Sequence, residues 1–296
     1  MLKVLCLVAA VFLPAAFLPA ASEADAAGGF PLRVVDALGR RVTLPAPPRR
    51  IVSVAPSLTE ILFALGLDTR IVGVSSADDY PEAKVAVKPK VGGVVLDVER
   101  ILSLRPDLVV GVASLQRGQL ERLIAMKLPV MAVDAATLPG LYAQIELIGR
   151  LTGAPGAAGK LLAAMRTKEQ VVATAVAGRP RRQVYVELWG EPLMTAGAGT
   201  FISDLITRGG GVNVFADVSG WPQVSEEAVI RRNPEVIVVT YPQGRRVMTR
   251  RGWEQVAAVR AGRVGEVHAS LISRPGPRIV DGLRALAAII HPEVFR

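Results

Sequence analysis

The chain has 296 residues, 51% of them apolar and 5% aromatic, with 35 basic against 26 acidic side chains and a net charge of +9. This composition supports a full apolar core and excludes an extensively disordered chain, and the length suits one large domain or two medium α/β lobes. The basic residues are dispersed, and their densest groups, Arg179 to Arg182 and Arg245 to Arg251, lack interleaved aromatic rings, so the charge reads as solvated surface and no nucleic-acid partner is expected.

The first segment reads as a leader. Lys3 precedes an apolar stretch from Val4 to Ala21 that contains Pro14 and Pro19, and Ala24-Asp25-Ala26 has the small-residue pattern of a cleavage site. A secretory leader over 1–26 is expected, a retained membrane helix being the competing reading that the prolines disfavour. Export would place the chain in the periplasm. Cys6, the single cysteine, falls inside this leader and too early for a lipoprotein box, so the exported part has no thiol, disulfide or cysteine-held metal.

Residues 27–50 read as a β-hairpin turning at Leu38-Gly39-Arg40, followed by the stiff connector "APPRR". A first α/β lobe is predicted over 51–153. "IVSVA" is a buried strand, and Pro56-Ser57 opens the helix "SLTEILFALG". Ser57 with Glu60 three residues on is a capping-box pattern, and Gly66 a C-terminal stop. "RIVGVS", "PDLVVGV" and "PVMAVD" are further strands, separated by the helices "DVERILSLR" and "LERLIAMKL". That alternation implies parallel strands with helices on their faces.

From Pro139 to Ala177 strand signals stop, and a long helix of about 30 Å is predicted within 154–178. Alternation resumes over 179–296, from "RQVYVEL" through "PEVIVVT" to the final helix "GPRIVDGLRALAAII". "VERILSLRPDLVV" near residue 100 is repeated by "SEEAVIRRNPEVIVV" near residue 230. Each places a glutamate, Glu99 or Glu227, ahead of a proline, an acid and an apolar strand. The chain therefore reads as two copies of one fold joined by a helix, with a cleft between them where ligands bind.

No catalytic residues are expected. "GVSSA" lacks the second glycine of a nucleophile elbow, "APGAAGKL" lacks the Ser or Thr that ends a P-loop, and "GAGTF" is no dinucleotide fingerprint. Two scattered histidines, His268 and His291, make no zinc or manganese cluster, so no metal site is expected; His291 reads as a helix-end cap.

The stretches "RIVSVAPSLTEILFALG", "DDYPEAKVAVKPKVGG", "VERILSLRPDLVV", "GWPQVSEEAVIRRNPEVIVV" and "SRPGPRI" together resemble the periplasmic substrate-binding proteins of ABC importers for vitamin B12, haem and ferric siderophores, most of all the cobalamin branch. The resemblance runs from Arg49 to His291. It implies an α/β fold of two Rossmann-like lobes joined by a single long α-helix, a bound cobalamin or related corrinoid rather than a cofactor, no catalysis, a monomer, and delivery to an ABC permease dimer in the inner membrane. It also implies cleft roles for Tyr80, Trp221 and Arg274, whose rings and guanidinium suit a broad apolar ligand with polar edges. Pro56 and Ser57 are expected at the cleft mouth, and Glu99 and Glu227 would dock into arginine pockets of the two permease subunits.

There are departures from the family pattern. Gly92 and Gly93 stand near the position of a tryptophan common in the cobalamin branch, so the cleft is expected to be roomier there, and Trp189 is a candidate to compensate. Haem remains an alternative, with Tyr80, Tyr241 or His268 as axial ligand, and so does a ferric siderophore. Outside this class, an exported enzyme using the cleft, or a sensor with a degenerate cleft, are the competing readings.

Overall fold

The computed structural model describes residues 29–242 and 244–295; the leader expected over 1–26, with Cys6, lies outside them. Strands β1 (Leu32–Val35) and β2 (Arg41–Leu44) form the antiparallel hairpin, and Gly39 takes φ +77° at its turn. The hairpin docks on the first lobe through Ala37 N–H to the Ala132 carbonyl and Arg40 Nη2 to the Val130 carbonyl.

The first lobe follows as β3 (Ile51–Ser53), α1 (Pro56–Ala64), β4 (Ile71–Val74), α2 (Glu82–Val85), α3 (Val98–Ser103), β5 (Leu108–Val112), α4 (Ala113–Ala125), β6 (Val130–Val133) and α5 (Leu138–Leu151). Its four strands are parallel, in the order β4-β3-β5-β6. β3, β5 and β6 are buried along their whole length, as expected of β-branched runs covered on both faces.

Helix α6 (Pro155–Val176) then runs 22 residues, about 33 Å. The second lobe comprises β7 (Arg182–Glu187), β8 (Trp189–Gly190), β9 (Leu193–Met194), α7 (Phe201–Arg208), β10 (Gly211–Asn213), α8 (Glu226–Arg232), β11 (Val236–Val239), α9 (Ala257–Arg260), β12 (Val264–Glu266), α10 (Ala269–Ser273) and α11 (Ile279–Ile290). Its parallel sheet has the order β10-β7-β11-β12. In both lobes the first strand in chain order sits beside the second and the third, so the two sheets have the same topology.

The repeated sequence is a repeated structure. Asp97 caps α3 and Ser225 caps α8, each accepting a backbone N–H three residues on. Asp107 then accepts from the backbone N–H groups of Arg49 and Arg50 (2.7 Å each), and Glu235 from that of Gln183 (2.8 Å). In each lobe the acid after the proline thus pins the third strand to the start of the first.

Helix α6 packs against α5 of the first lobe and α11 of the second. The largest apolar core follows that contact, holding Leu58, Ile145, Met165, Val172 and Leu286 together. Two smaller cores close the outer faces of the sheets, around Leu120 in the first lobe and around Trp253 in the second.

One local expectation is corrected. Ser57 does not cap α1: the cap is Ala55, with extended φ −142° and ψ 135°, and Pro56 occupies the first helical position. Proline is suited to that position because its missing N–H is not needed there and its φ is preset. Glu60 is correspondingly free of a capping role and points to the other lobe. The Gly66 stop is present, with φ +74° just past the last turn.

Candidate functional site

Elements from both lobes enclose a cavity of about 360 Å³. The first lobe contributes Ser57 at the start of α1, the start of α4 with Leu115, and Asp134 after β6. The second contributes the turn before α7, Trp221, and the segment after α10 with Ser273 and Pro275. The rim is apolar and open: Leu115 is 70% and Trp221 49% exposed. Large apolar side chains held this far into solvent mark a contact surface more often than a fold requirement.

Trp221 is held by backbone. Gly197 and Ala198 pair with Val218 and Gly220 through N–H···O distances of 2.7–2.9 Å. A Cβ on Gly197 would stand 1.9 Å from the Val218 carbonyl oxygen, so only glycine permits this approach. On the opposite wall, Asp134 is committed to the start of α4, accepting from the Ser114 N–H and hydroxyl at 2.9 Å each. Among the described residues, no Lys, Arg, His or Tyr lines this cavity.

The cleft arginine, Arg274, lies between two lining residues but is already paired. Its guanidinium donates to both oxygens of Asp79 of the first lobe at 2.5 and 3.0 Å. Arg278 repeats the arrangement, donating to both oxygens of buried Glu60 at 2.6 and 2.9 Å, with its guanidinium 3.9 Å from the Tyr80 ring centroid. The hydrogen bond from Arg274 holds the Asp79 carboxyl below the usual carboxylate range. Neighbouring Asp78 differs: it is buried with no hydrogen-bond partner for its carboxylate oxygens, and burial pushes it up to about 6.

The expected residues are therefore divided. Ser57 and Trp221 share the interlobe cavity, and Pro56 starts the same helix as Ser57. Tyr80, half exposed, lines a second interlobe cavity of about 630 Å³ with Asp78, His268 and Arg278. There His268 caps α10 and its Nδ1 is 2.7 Å from the Ser270 hydroxyl.

Gly92 and Gly93 line neither cavity. Gly92, at φ +91°, makes a tight turn in which a Cβ would meet the Val95 carbonyl at 2.4 Å, and Gln116 Nε2 fixes the Gly93 carbonyl at 3.0 Å. Trp189 stands elsewhere in the second lobe, its ring paired with Tyr241 at 6.5 Å, over a buried network in which Arg250 donates to both oxygens of Glu187 (2.6 and 2.7 Å) and the Tyr241 hydroxyl donates to the same carboxylate. Burial pushes the Tyr241 hydroxyl up to about 12. His291 is buried, its Nε2 3.2 Å from the Gly210 carbonyl.

Glu99 and Glu227 occupy the first turns of α3 and α8 and are exposed. The N–H of Glu227 itself holds its carboxyl below the usual range. Sequence reasoning missed Asp79, Glu60 and Leu115 as cleft residues. The clue to Asp79 was its place beside Tyr80 in "DDYP", and to Glu60 the second arginine of "RPGPR", which had no assigned partner.

A periplasmic binding protein family model matches residues 51–271. An uncharacterized ABC transporter substrate-binding lipoprotein of Bacillus subtilis is 34% identical over 276 residues, 90% of this chain and 88% of that protein. A cobalamin-binding protein of Halobacterium salinarum is 33% identical over 287 residues, 91% of this chain and 77% of that protein. Among solved structures, the periplasmic haem-binding protein RhuT of Roseiflexus superposes with a TM-score of 0.75 at 25% identity, covering 83% of this chain and 99% of that one. The two-lobed architecture thus accompanies more than one tetrapyrrole.

Proposed function

The chain belongs to the periplasmic binding protein family, and on that premise we propose that it captures a neutral corrinoid, cobalamin or a close relative, between its lobes. Family members are solute-binding proteins rather than enzymes, and they work with a membrane permease of an ABC importer. The observation that carries the corrinoid reading is the character of the cleft: an apolar rim of Leu115 and Trp221, no cation among the cavity's lining residues, and a cleft arginine neutralised by Asp79. A corrin edged with amides would lie across that rim, using area rather than charge. The cobalamin-binding relative supports the same choice.

Haem is the second reading, favoured by one observation: Tyr80 and His268 line the same second cavity, beside Arg278. Trp189 and Tyr241 line neither of these two cavities but a third, with Arg246 and Arg250. Export through a leader over 1–26 into the periplasm, and docking of Glu99 and Glu227 on two permease subunits, complete the proposal. The duplicated capped helices that carry those glutamates support the docking role, because one carboxylate per lobe matches a two-fold partner.

The test is calorimetric titration of the purified chain, without its leader, with cyanocobalamin and with haemin. Saturation by cyanocobalamin near one per chain, weakened about tenfold or more by Trp221→Ala, is the expected result. Leu115→Ser is expected to weaken binding about tenfold, since that side chain is 70% exposed and would bury apolar area against a bound ligand. Heat from haemin alone would overturn the corrinoid reading.

A further inference from the structure

Two carboxylates of the first lobe reach across to two arginines of the second. Arg274 and Arg278 are four residues apart on the segment between α10 and α11, and each makes a fork-to-fork pair, with Asp79 and with Glu60 respectively. The pairs differ in setting. The Glu60 side chain is 3% exposed and Arg278 is further covered by Tyr80; the Asp79 side chain is 55% exposed and lines the second interlobe cavity, with Tyr80 and His268. Arg274 stands in sequence between Ser273 and Pro275 of the first cavity, so its pair with Asp79 joins the two cavities, and it lies 3.9 Å from Glu60 as well, with two carboxylates within reach.

We infer that Asp79 is a specificity-determining residue, which occupies the Arg274 fork and so makes the cleft select neutral ligands over ligands bearing free carboxylates. The inference rests on the cleft assignment above. An anionic ligand seeking Arg274 has to displace Asp79, and then meets both that released carboxylate and Glu60. A neutral ligand leaves the pair undisturbed and keeps both charges satisfied. Arg278 offers no substitute, because its partner is buried and freeing the guanidinium would strand a carboxylate in the core. Sequence alone offers a cleft arginine that suits ligand carboxylates and ligand amides alike; the carboxylate that answers it is 195 positions away.

The experiment uses haemin, whose two propionates are anionic, and cyanocobalamin, titrated separately into wild type, Asp79→Asn, and Asp79→Asn combined with Arg274→Gln. The expected result is that Asp79→Asn binds haemin about fivefold or more tightly than wild type, and that the double variant loses the gain. Cyanocobalamin affinity should change less than haemin affinity in Asp79→Asn. Equal haemin affinity in wild type and Asp79→Asn, or a gain that survives removal of Arg274, overturns the inference while leaving the corrinoid reading to its own titration. A haemin gain that depends on Arg274, with no cyanocobalamin heat from any protein, supports the charge selection and overturns only the corrinoid reading.

Discussion

Arg105 and Asn233 share a backbone conformation: both have φ of 45°, each directly precedes a proline, and each ends the helix of a repeated segment, one per lobe. Left-handed backbone is costly for a side chain with a Cβ, and asparagine tolerates it better than arginine. That both lobes accept it at the same place shows that the helix-to-strand corner is set by the pinned strand beyond it, through Asp107 and Glu235.

The corner makes a stability prediction. Asn233 also accepts the Ala257 N–H through Oδ1 at 2.8 Å. Asn233→Ala is expected to cost about 2 kcal/mol, from lost backbone tolerance and a lost hydrogen bond. Asn233→Gly should cost about 1 kcal/mol, the hydrogen bond alone. Urea unfolding of the two variants checks the difference.

Glu187 is fully buried and satisfied by Arg250 and Tyr241. Arg250→Ala strands that carboxylate and is expected to cost about 3 kcal/mol. Replacing both residues by leucine should recover part of the loss, because the penalty lies in the unpaired charge. Thermal melts of the single and double variants measure it.

Asp78 gives a pH dependence of known sign. Its carboxyl, raised by burial and only partly opposed by Thr59, Lys90 and Ser75, titrates near 6 in the folded chain against 3.8 when free. The folded state therefore holds a proton that the unfolded state has released, and stability falls as pH rises from about 4 through 6. Asp78→Asn should be more stable than wild type at pH 8, by about 2 kcal/mol, with the difference closing below pH 4. Denaturation at a series of pH values checks the crossover.

Glu99→Ala and Glu227→Ala, singly or together, are expected to leave ligand affinity and the unfolding midpoint little changed, since both side chains are exposed and remote from the cavity lining. If they dock on the permease, uptake into vesicles carrying the cognate importer should fall with each change and be lost with both. Undiminished uptake by the double variant would remove the docking role.

The fold was legible because its signals are local. Buried β-branched runs, the stop at Gly66, the strand-free length before the second lobe and the two copies of one segment each lie within about twenty residues. Exposure was legible where local setting decides it, as with Trp221 between Gly220 and Pro222, which lines an interlobe cavity. Arg274 read as a cleft arginine with no protein partner assigned; Asp79 reaches it only through the packing of the lobes. Ser57 and Glu60 matched a capping pattern, yet Pro56 took the helix start and an arginine 218 positions on took the glutamate. Trp189 read as a candidate cleft aromatic; the β8–β9 hairpin sets it beside Tyr241, a pairing no local pattern announces.

Helix α6 lies in the middle of the chain, but its covering is supplied from the end. α5 precedes it immediately, whereas α11 begins about 100 residues after α6 ends. A growing chain can complete the first sheet early, since all four of its strands are made before α6. It cannot bury the far side of the strut until α11, about 100 residues further on, has been made. The bridge between the lobes, central in sequence, thus stays half-covered well after the first lobe is complete.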